Sequence, residues 1–274
     1  MLRFPVEKIK RLFVSQVGLI ILGSGILFTS VTSAVEAPVS EATETCLTCH
    51  ETVTPGIVED WRNSRHAGIT PAEALKKDVL QRRISAVQLP DSLKNYVVGC
   101  AECHTLAPTK HRDNYEHGGY SVHTVVTPND CATCHPVEQA QFQLNIMSHA
   151  HVNLRDNPLY QTMMHAVNGI KQFMSGKLST EDPDQLITDQ ACYFCHGTEV
   201  TVDGLETRET DLGEMDFPVL TGWPNQGVGR INPDDSKGSC SACHARHEFS
   251  IKVARQPYTC SECHKGPDVP AYKV

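Results

Sequence analysis

The sequence predicts a mainly α-helical fold with long loops and little or no β-sheet, built around something other than an ordinary side-chain core. Three observations lead there. All twelve cysteines fall into six copies of one pentapeptide, Cys-x-x-Cys-His. Apolar residues recur at helical spacing behind capping signals, while no alternating run is sustained. Aromatic residues make up only 6% and apolar residues 40% of the 274 positions, which is thin for a conventional core of this length.

The six motifs are Cys46, Cys49 and His50; Cys100, Cys103 and His104; Cys131, Cys134 and His135; Cys192, Cys195 and His196; Cys240, Cys243 and His244; and Cys260, Cys263 and His264. Two thiols three apart with a histidine directly behind them are the attachment signature of a c-type haem. The thiols add to the porphyrin vinyl groups and the histidine supplies the proximal nitrogen to iron. A lone Cys-x-x-Cys could belong to a thioredoxin-like or a zinc site, but six covalently bound haem c groups account for every cysteine. That leaves about 40 residues per haem once a leader is set aside, so porphyrin faces are expected to supply much of the interior. First cysteines follow one another at 54, 31, 61, 48 and 20 residues. Such irregular spacing argues against a solenoid and for one intertwined domain.

In chain order, Met1–Phe13 carries Arg3, Lys8, Lys10 and Arg11, an apolar stretch runs from Val14 to Val31, and Thr32-Ser33-Ala34 offers small residues for cleavage. Residues 1–34 are expected to be a signal peptide, with a retained membrane anchor as the alternative. Either places the folded part outside the cytoplasm, in the periplasm or its equivalent. Residues 35–45 are expected to be a flexible spacer and 46–274 the haem domain. Thr54-Pro55 opens a helix that Gly68 can end. Thr70-Pro71-Ala72-Glu73 is a capping box, with Ala74, Leu75, Val79 and Ile84 supporting a helix to about Val87. Pro136 opens another helix through Gln139, Phe142 and Ile146. Leu159, Met163, Val167, Ile170 and Met174 form a helical stripe whose simplest use is packing. Asp203–Ser239 reads as coil, and so long a loop is usually functional or wrapped around something.

The formal net charge is −8, so the basic stripe needed for nucleic acid is missing. An acidic surface favours a basic redox partner.

Eight histidines lie outside the motifs: His66, His111, His117, His123, His149, His151, His165 and His247. Electron-transfer haems commonly take a second imidazole. Six saturated haems need six of these eight, and five saturated haems beside one open iron need five, so the count permits both. Candidate second ligands are His66, His123, His149, His165 and His111. His149 and His151 are two apart and would point to different helical faces; His149 is preferred. His111 and His117 sit in a polar loop where either can be solvated. His247 lies three residues after His244, too close to cap its own haem, and is expected to enter a neighbouring haem's pocket.

Trp61–Ala67 (WRNSRHA), His123–Pro136 (HTVVTPNDCATCHP), Met147–Ala150 (MSHA), Cys192–Thr198 (CYFCHGT), Gly222–Pro233 (GWPNQGVGRINP), Gly238–Phe249 (GSCSACHARHEF) and Cys260–Pro267 (CSECHKGP) resemble the hydroxylamine oxidoreductase family of multihaem cytochromes. The resemblance implies an exported, mainly helical, often trimeric protein with closely packed haems. It implies an open distal site on the fourth haem in chain order, here that of Cys192, Cys195 and His196, where small nitrogen compounds react. It makes His247 a candidate for proton transfer in that pocket, with a ligand or propionate partner as the alternative, and Asp234 and Asp235 weaker pocket candidates. The implied function is an oxidoreductase acting on hydroxylamine, nitrite, nitric oxide or hydrazine, passing electrons through the other haems to a redox protein or a quinone-linked cytochrome. Members usually carry eight haems and a C-terminal helical region that, in the oxidative enzymes, supplies a crosslinking tyrosine. This chain has six motifs and ends at Ala271-Tyr272-Lys273-Val274. The alternatives are therefore a purely electron-transfer hexahaem cytochrome, or an inactive fragment or split-gene product of a longer enzyme.

Overall fold

The computed structural model describes residues 37–265. The expected leader, and Gly266–Val274, lie outside them. Short helices dominate, and three two-stranded antiparallel hairpins stand between them: β1 (Asn114–His117) with β2 (Tyr120–His123), β3 (Ile170–Met174) with β4 (Lys177–Glu181), and β5 (Thr201–Thr210) with β6 (Gly213–Thr221). The mainly helical class holds, with small sheets added. No helix among the described residues is long and apolar enough to cross a membrane.

The segment expected to be a spacer is instead the start of structure. Helix Glu41–Val53 begins there, with Ser40 Oγ accepting from Thr43 N at 3.1 Å. Thr43 is completely buried. Its hydroxyl accepts from Ala101 N (3.1 Å) and donates to Glu102 Oε2 (2.7 Å), tying this helix to helix Cys100–His104. Thr43→Val, nearly isosteric, leaves both partners buried without their bond. It should cost about 1–3 kcal/mol, read as a lower denaturant midpoint at unchanged slope; an unmoved midpoint contradicts it.

The capping signals are met in detail, but the helices they open are shorter than expected. Thr54 precedes helix Pro55–Asn63, which breaks at Ser64. The Ser64 hydroxyl then caps a new turn, Arg65–Gly68. Both bonds of the Thr70–Glu73 box form, yet the helix stops at Leu75. A second piece, Val79–Arg82, ends where Arg83 turns left-handed (φ 55°). Helix Pro136–Gln143 is followed by a 3₁₀ turn, Ile146–His149. The stripe splits at Gly169: Leu159, Met163 and Val167 lie on helix Pro158–Asn168 but face outward, while Ile170 and Met174 belong to β3. A Cβ on Gly169 would stand 2.4 Å from His165 O and 2.5 Å from Thr180 Cγ2, so the turn into the hairpin closes only around glycine.

The expected coil over 203–239 holds the longest hairpin. A bulge between Val202 and Gly204 breaks its alternation, and Gly213 (φ 101°) turns it. Side-chain burial is sparse and local. One cluster, Ala74, Ile84, Ala86 and Leu89, packs against Cys134; another, Leu154, Met164 and Tyr193, packs against Cys192. The apolar interior thus gathers at the motif cysteines.

Candidate functional site

Each motif lies on a single helical turn. Cys46, Cys49 and His50 are inside helix Glu41–Val53, and helices Cys100–His104 and Cys192–His196 are motifs in themselves. In the third, fifth and sixth motifs the histidine N–H reaches back to the first cysteine's carbonyl, at 2.8, 3.0 and 2.9 Å. Positions i, i+3 and i+4 of a helical turn share one face. The spacing therefore presents both thiols and the imidazole to the same side.

Several motif histidines are already tethered at one nitrogen. His104 Nδ1 lies 2.8 Å from His123 O, and His196 Nδ1 lies 3.1 Å from Ala150 O. A carbonyl only accepts, so both rings carry their proton on Nδ1 and present a bare Nε2, the form a metal takes. His50 Nδ1 pairs with Thr54 Oγ1 at 2.9 Å. Burial pushes the pKa of His104, His135 and His244 down, which keeps them neutral at pH 7.

The structure then sorts the other histidines. Two imidazoles on opposite faces of one iron have ring centres about 6.3 Å apart, given a metal–nitrogen bond of about 2 Å. His50–His117, His66–His135 and His104–His247 stand at 6.1, 6.3 and 6.4 Å. His117 Nδ1 is buried without a partner. His66 and His247 are held at a pKa of about 4, by burial first and then by His135 and His104 respectively. The donor set thus fits c-type haem at the first three motifs. His123 is also 6.0 Å from His104, but it lies at the Nδ1 end, where its carbonyl holds the ring, and its own ring stacks on His111.

His111 is no free ligand. It stacks on His123 with centres 3.5 Å apart. Its Nε2 is 3.1 Å from Asp130 Oδ1 and its Nδ1 3.5 Å from Asp113 Oδ1. Burial opposes its charge, but the carboxylates of Asp113 and Asp130 outweigh that and lift its pKa to about 9. Although His111, His123 and Asp130 come together, the two rings are within 6° of parallel. Two parallel stacked planes cannot both contain one ion, so this is a charge cluster and not a metal centre.

The remaining candidates separate cleanly. His149 Nε2 lies 2.8 Å from Gln143 O, whereas His151 Nδ1 lies 2.6 Å from Gly197 O with its Nε2 buried and unpartnered. Of the pair, the ring with a free Nε2 is His151, which also stacks on Tyr193 at 4.6 Å. His165 is half-buried and 3.5 Å from Asp182. The ring of His247 faces His104 and Phe249; no ring contact joins it to the fourth motif. Asp234 is a loop anchor, accepting from Thr127, Asn129 and Ser236. Asp235 pairs with Arg112 at the surface.

The fourth motif sits in a clasp. Val228 N bonds Cys195 O (3.0 Å), Ile231 N bonds Thr198 O (2.9 Å) and Val200 N bonds Ile231 O (2.9 Å), laying the Gly222–Ser239 loop along Cys195–Val200. Gly197 (φ 90°) makes the crossing possible, since a Cβ there would stand 2.2 Å from Arg230 N. Among the described residues no second imidazole faces His196.

Motif cysteines also meet across the chain. Proximity to Cys46 helps to raise the pKa of the Cys100 thiol, and proximity to Cys134 that of Cys103. Proximity to Cys240 likewise helps to raise the pKa of Cys131, proximity to Cys260 that of Cys243, and proximity to Cys195 that of Cys263. In space the motifs therefore run first, second, third, fifth, sixth, fourth.

A family profile described as seven-times multihaem cytochrome CxxCH matches residues 227–274. A probable nitrite reductase–hydroxylamine oxidoreductase fusion protein of Kuenenia stuttgartiensis is 26% identical over 83% of this chain, which spans 20% of that protein. A solved structure described as a hypothetical multihaem protein is 44% identical with a TM-score of 0.81, over 88% of this chain and 46% of that one. A reducing HAO-like protein complex of Kuenenia stuttgartiensis is 20% identical with a TM-score of 0.45, over 84% of this chain and 32% of that one, a likeness too slight to argue from. The chain spans less than half the length of each.

Proposed function

We propose that this chain, a multihaem cytochrome c related to the hydroxylamine oxidoreductase-like proteins, is an oxidoreductase that handles a small nitrogen compound at the fourth motif and relays electrons through the others. One observation carries the choice of the fourth motif: His50, His135 and His104 each face a second imidazole at 6.1–6.4 Å, and of the three motif histidines that none faces among the described residues, His196, His244 and His264, it is His196 whose motif is held in the clasp of Val228 and Ile231. Bound haem would supply Lewis-acid and redox chemistry at nitrogen that no side chain offers.

The chain's own residues do the rest. Ala150 O holds the His196 ring with its proton on Nδ1. The clasp fixes the motif's exit, and Tyr193, buried against Leu154 and Met164, packs its flank. The row of neighbouring cysteines ends at this motif, so one terminus of a relay coincides with one of the three positions, at the fourth, fifth and sixth motifs, that lack a second imidazole among the described residues. His247, opposite His104, serves as a ligand at the second motif and not as a proton carrier at the fourth. Substrate choice among hydroxylamine, nitrite, nitric oxide and hydrazine, export to the periplasm, assembly as a trimer and the redox partner follow from the family resemblance.

A second reading, a saturated relay, is favoured by His151, whose free Nε2 lies beside the fourth motif. Carbon monoxide separates the two. The reduced haem-loaded protein is expected to bind it, and His247→Ala to add one further site per chain. A wild-type protein that takes up none, but does so as His151→Ala, establishes the relay instead.

A further inference from the structure

Among the described residues Arg230 is the largest side chain buried almost completely, at 1% exposure. Its Nε donates to Asn232 Oδ1 (2.7 Å), Nη1 to Asn225 O (2.9 Å) and Nη2 to Val126 O (3.5 Å). All three acceptors are neutral. A guanidinium has five N–H groups, so one on each terminal nitrogen has no partner. No carboxylate among the described residues forms an ion pair with it. The two acids whose charge reaches it are committed elsewhere: Asp234 to Thr127, Asn129 and Ser236, and Asp113 to Val125 N and His111.

A second cation makes the imbalance worse. The Trp223 ring has Arg230 Cζ at 4.9 Å and Arg246 Cζ also at 4.9 Å. Burial, then Arg246, holds the Arg230 pKa down to about 10, and it stays charged at pH 7. Trp223 offsets part of this through its π-face, but a buried charge without a counter-ion costs several kcal/mol. Two unused N–H groups, one on each terminal nitrogen of a guanidinium, can serve the two oxygens of a carboxylate.

We propose that Arg230, with Trp223 and Arg246, forms a buried clamp for a haem propionate, and that the propionate comes from a haem other than the one at the fifth motif. Gly238 N bonds Arg230 O at 2.7 Å, which ties Arg230 to the segment leading into Cys240, and a haem's thioether edge is opposite its propionates. A haem attached at Cys240 would therefore turn its own carboxylates away from Arg230. The neighbour favoured is the second haem, whose facing His247 follows Arg246 in sequence and lies opposite His104. The clamp rests on the haem loading proposed above.

The test is a spectroelectrochemical titration of the full haem-loaded chain. In Arg230→Gln, one one-electron step should move to more negative potential, because an uncompensated propionate disfavours an added electron. The other steps should stay, and Arg230→Lys should recover most of the shift. Curves that superimpose on wild type overturn the clamp. A wild-type midpoint that depends on added inorganic phosphate, absent in Arg230→Gln, assigns the site to a diffusible oxyanion and overturns the propionate. Where the glutamine variant does not load haem, Arg246→Gln is read the same way: a smaller negative shift of one step supports the clamp, and none overturns it. A wild type without haem absorbance sinks the haem reading itself, which is a different failure.

Discussion

Gly197→Ala is expected to lower stability by about 4 kcal/mol or more and to impair haem attachment at the fourth motif. Two costs coincide. At φ 90° an L side chain is strained by about 1–3 kcal/mol. The new Cβ would also stand 2.2 Å from Arg230 N, 2.6 Å from Arg230 Cα and 2.7 Å from Gly229 C. All are backbone atoms with no rotamer to yield, so the chain must part there, and losses above about 4 kcal/mol are reserved for such cases. Denaturant unfolding gives the first effect. The mass of the peptide bearing Cys192 and Cys195 gives the second. A variant that melts like wild type with its fourth haem in place would show that the clasp can open without cost.

Asp130→Asn should have the next largest effect, about 3–5 kcal/mol, because it breaks a buried charge pair from one side. Asp130 Oδ2 accepts from Thr127 N (2.7 Å) and Thr127 Oγ1 (3.0 Å), capping helix Pro128–Cys131 that begins the third motif; Oδ1 faces His111 Nε2 at 3.1 Å. The loss should depend on pH. The His111 pKa is raised from its ordinary 6.5 to about 9, so its stabilisation is complete below about pH 6.5 and disappears as pH rises through 9. From the size of the shift this is about 3 kcal/mol. Facing groups do not blur that window: Asp113 and Asp130 are held below the usual carboxylate range, and His123 titrates near 4. Once haem is attached, the motif thiols are thioethers and silent. Unfolding free energies from about pH 6 to about pH 10 should fall in wild type and fall less in Asp130→Asn. Parallel curves would mean that His111 is not the titrating group.

What the sequence made legible was local chemistry. Cys-x-x-Cys-His dictates one helical turn, and the box at Thr70 and Glu73 forms both its bonds. Helix ends were harder, because Ser64 restarts a helix and Arg83 ends one by tertiary fit. The β5–β6 hairpin was hidden by its bulge. His117 went unrecognised as a partner, although His117-Gly118-Gly119-Tyr120 has the two-glycine turn of a tight hairpin, which would have fixed its histidine at a strand end. Residue spacing favours His149 over His151, because nothing in sequence shows that a 3₁₀ turn gives way to a helix between them. The role of His247 depended on distance across the fold, which residue spacing does not encode.

The clasp also sets an order in time. Cys192–His196 can be synthesised, but its exit strand finds Val228 and Ile231 only after the β5–β6 hairpin has been made, and Ser239 N closes on Val228 O later still. In a chain that emerges N-terminus first, Gly197 at first has nothing to cross. The fourth motif, earlier in the chain than the fifth, thus waits for residues at the fifth motif's threshold before it is enclosed, and the attachment machinery has that interval in which to reach it.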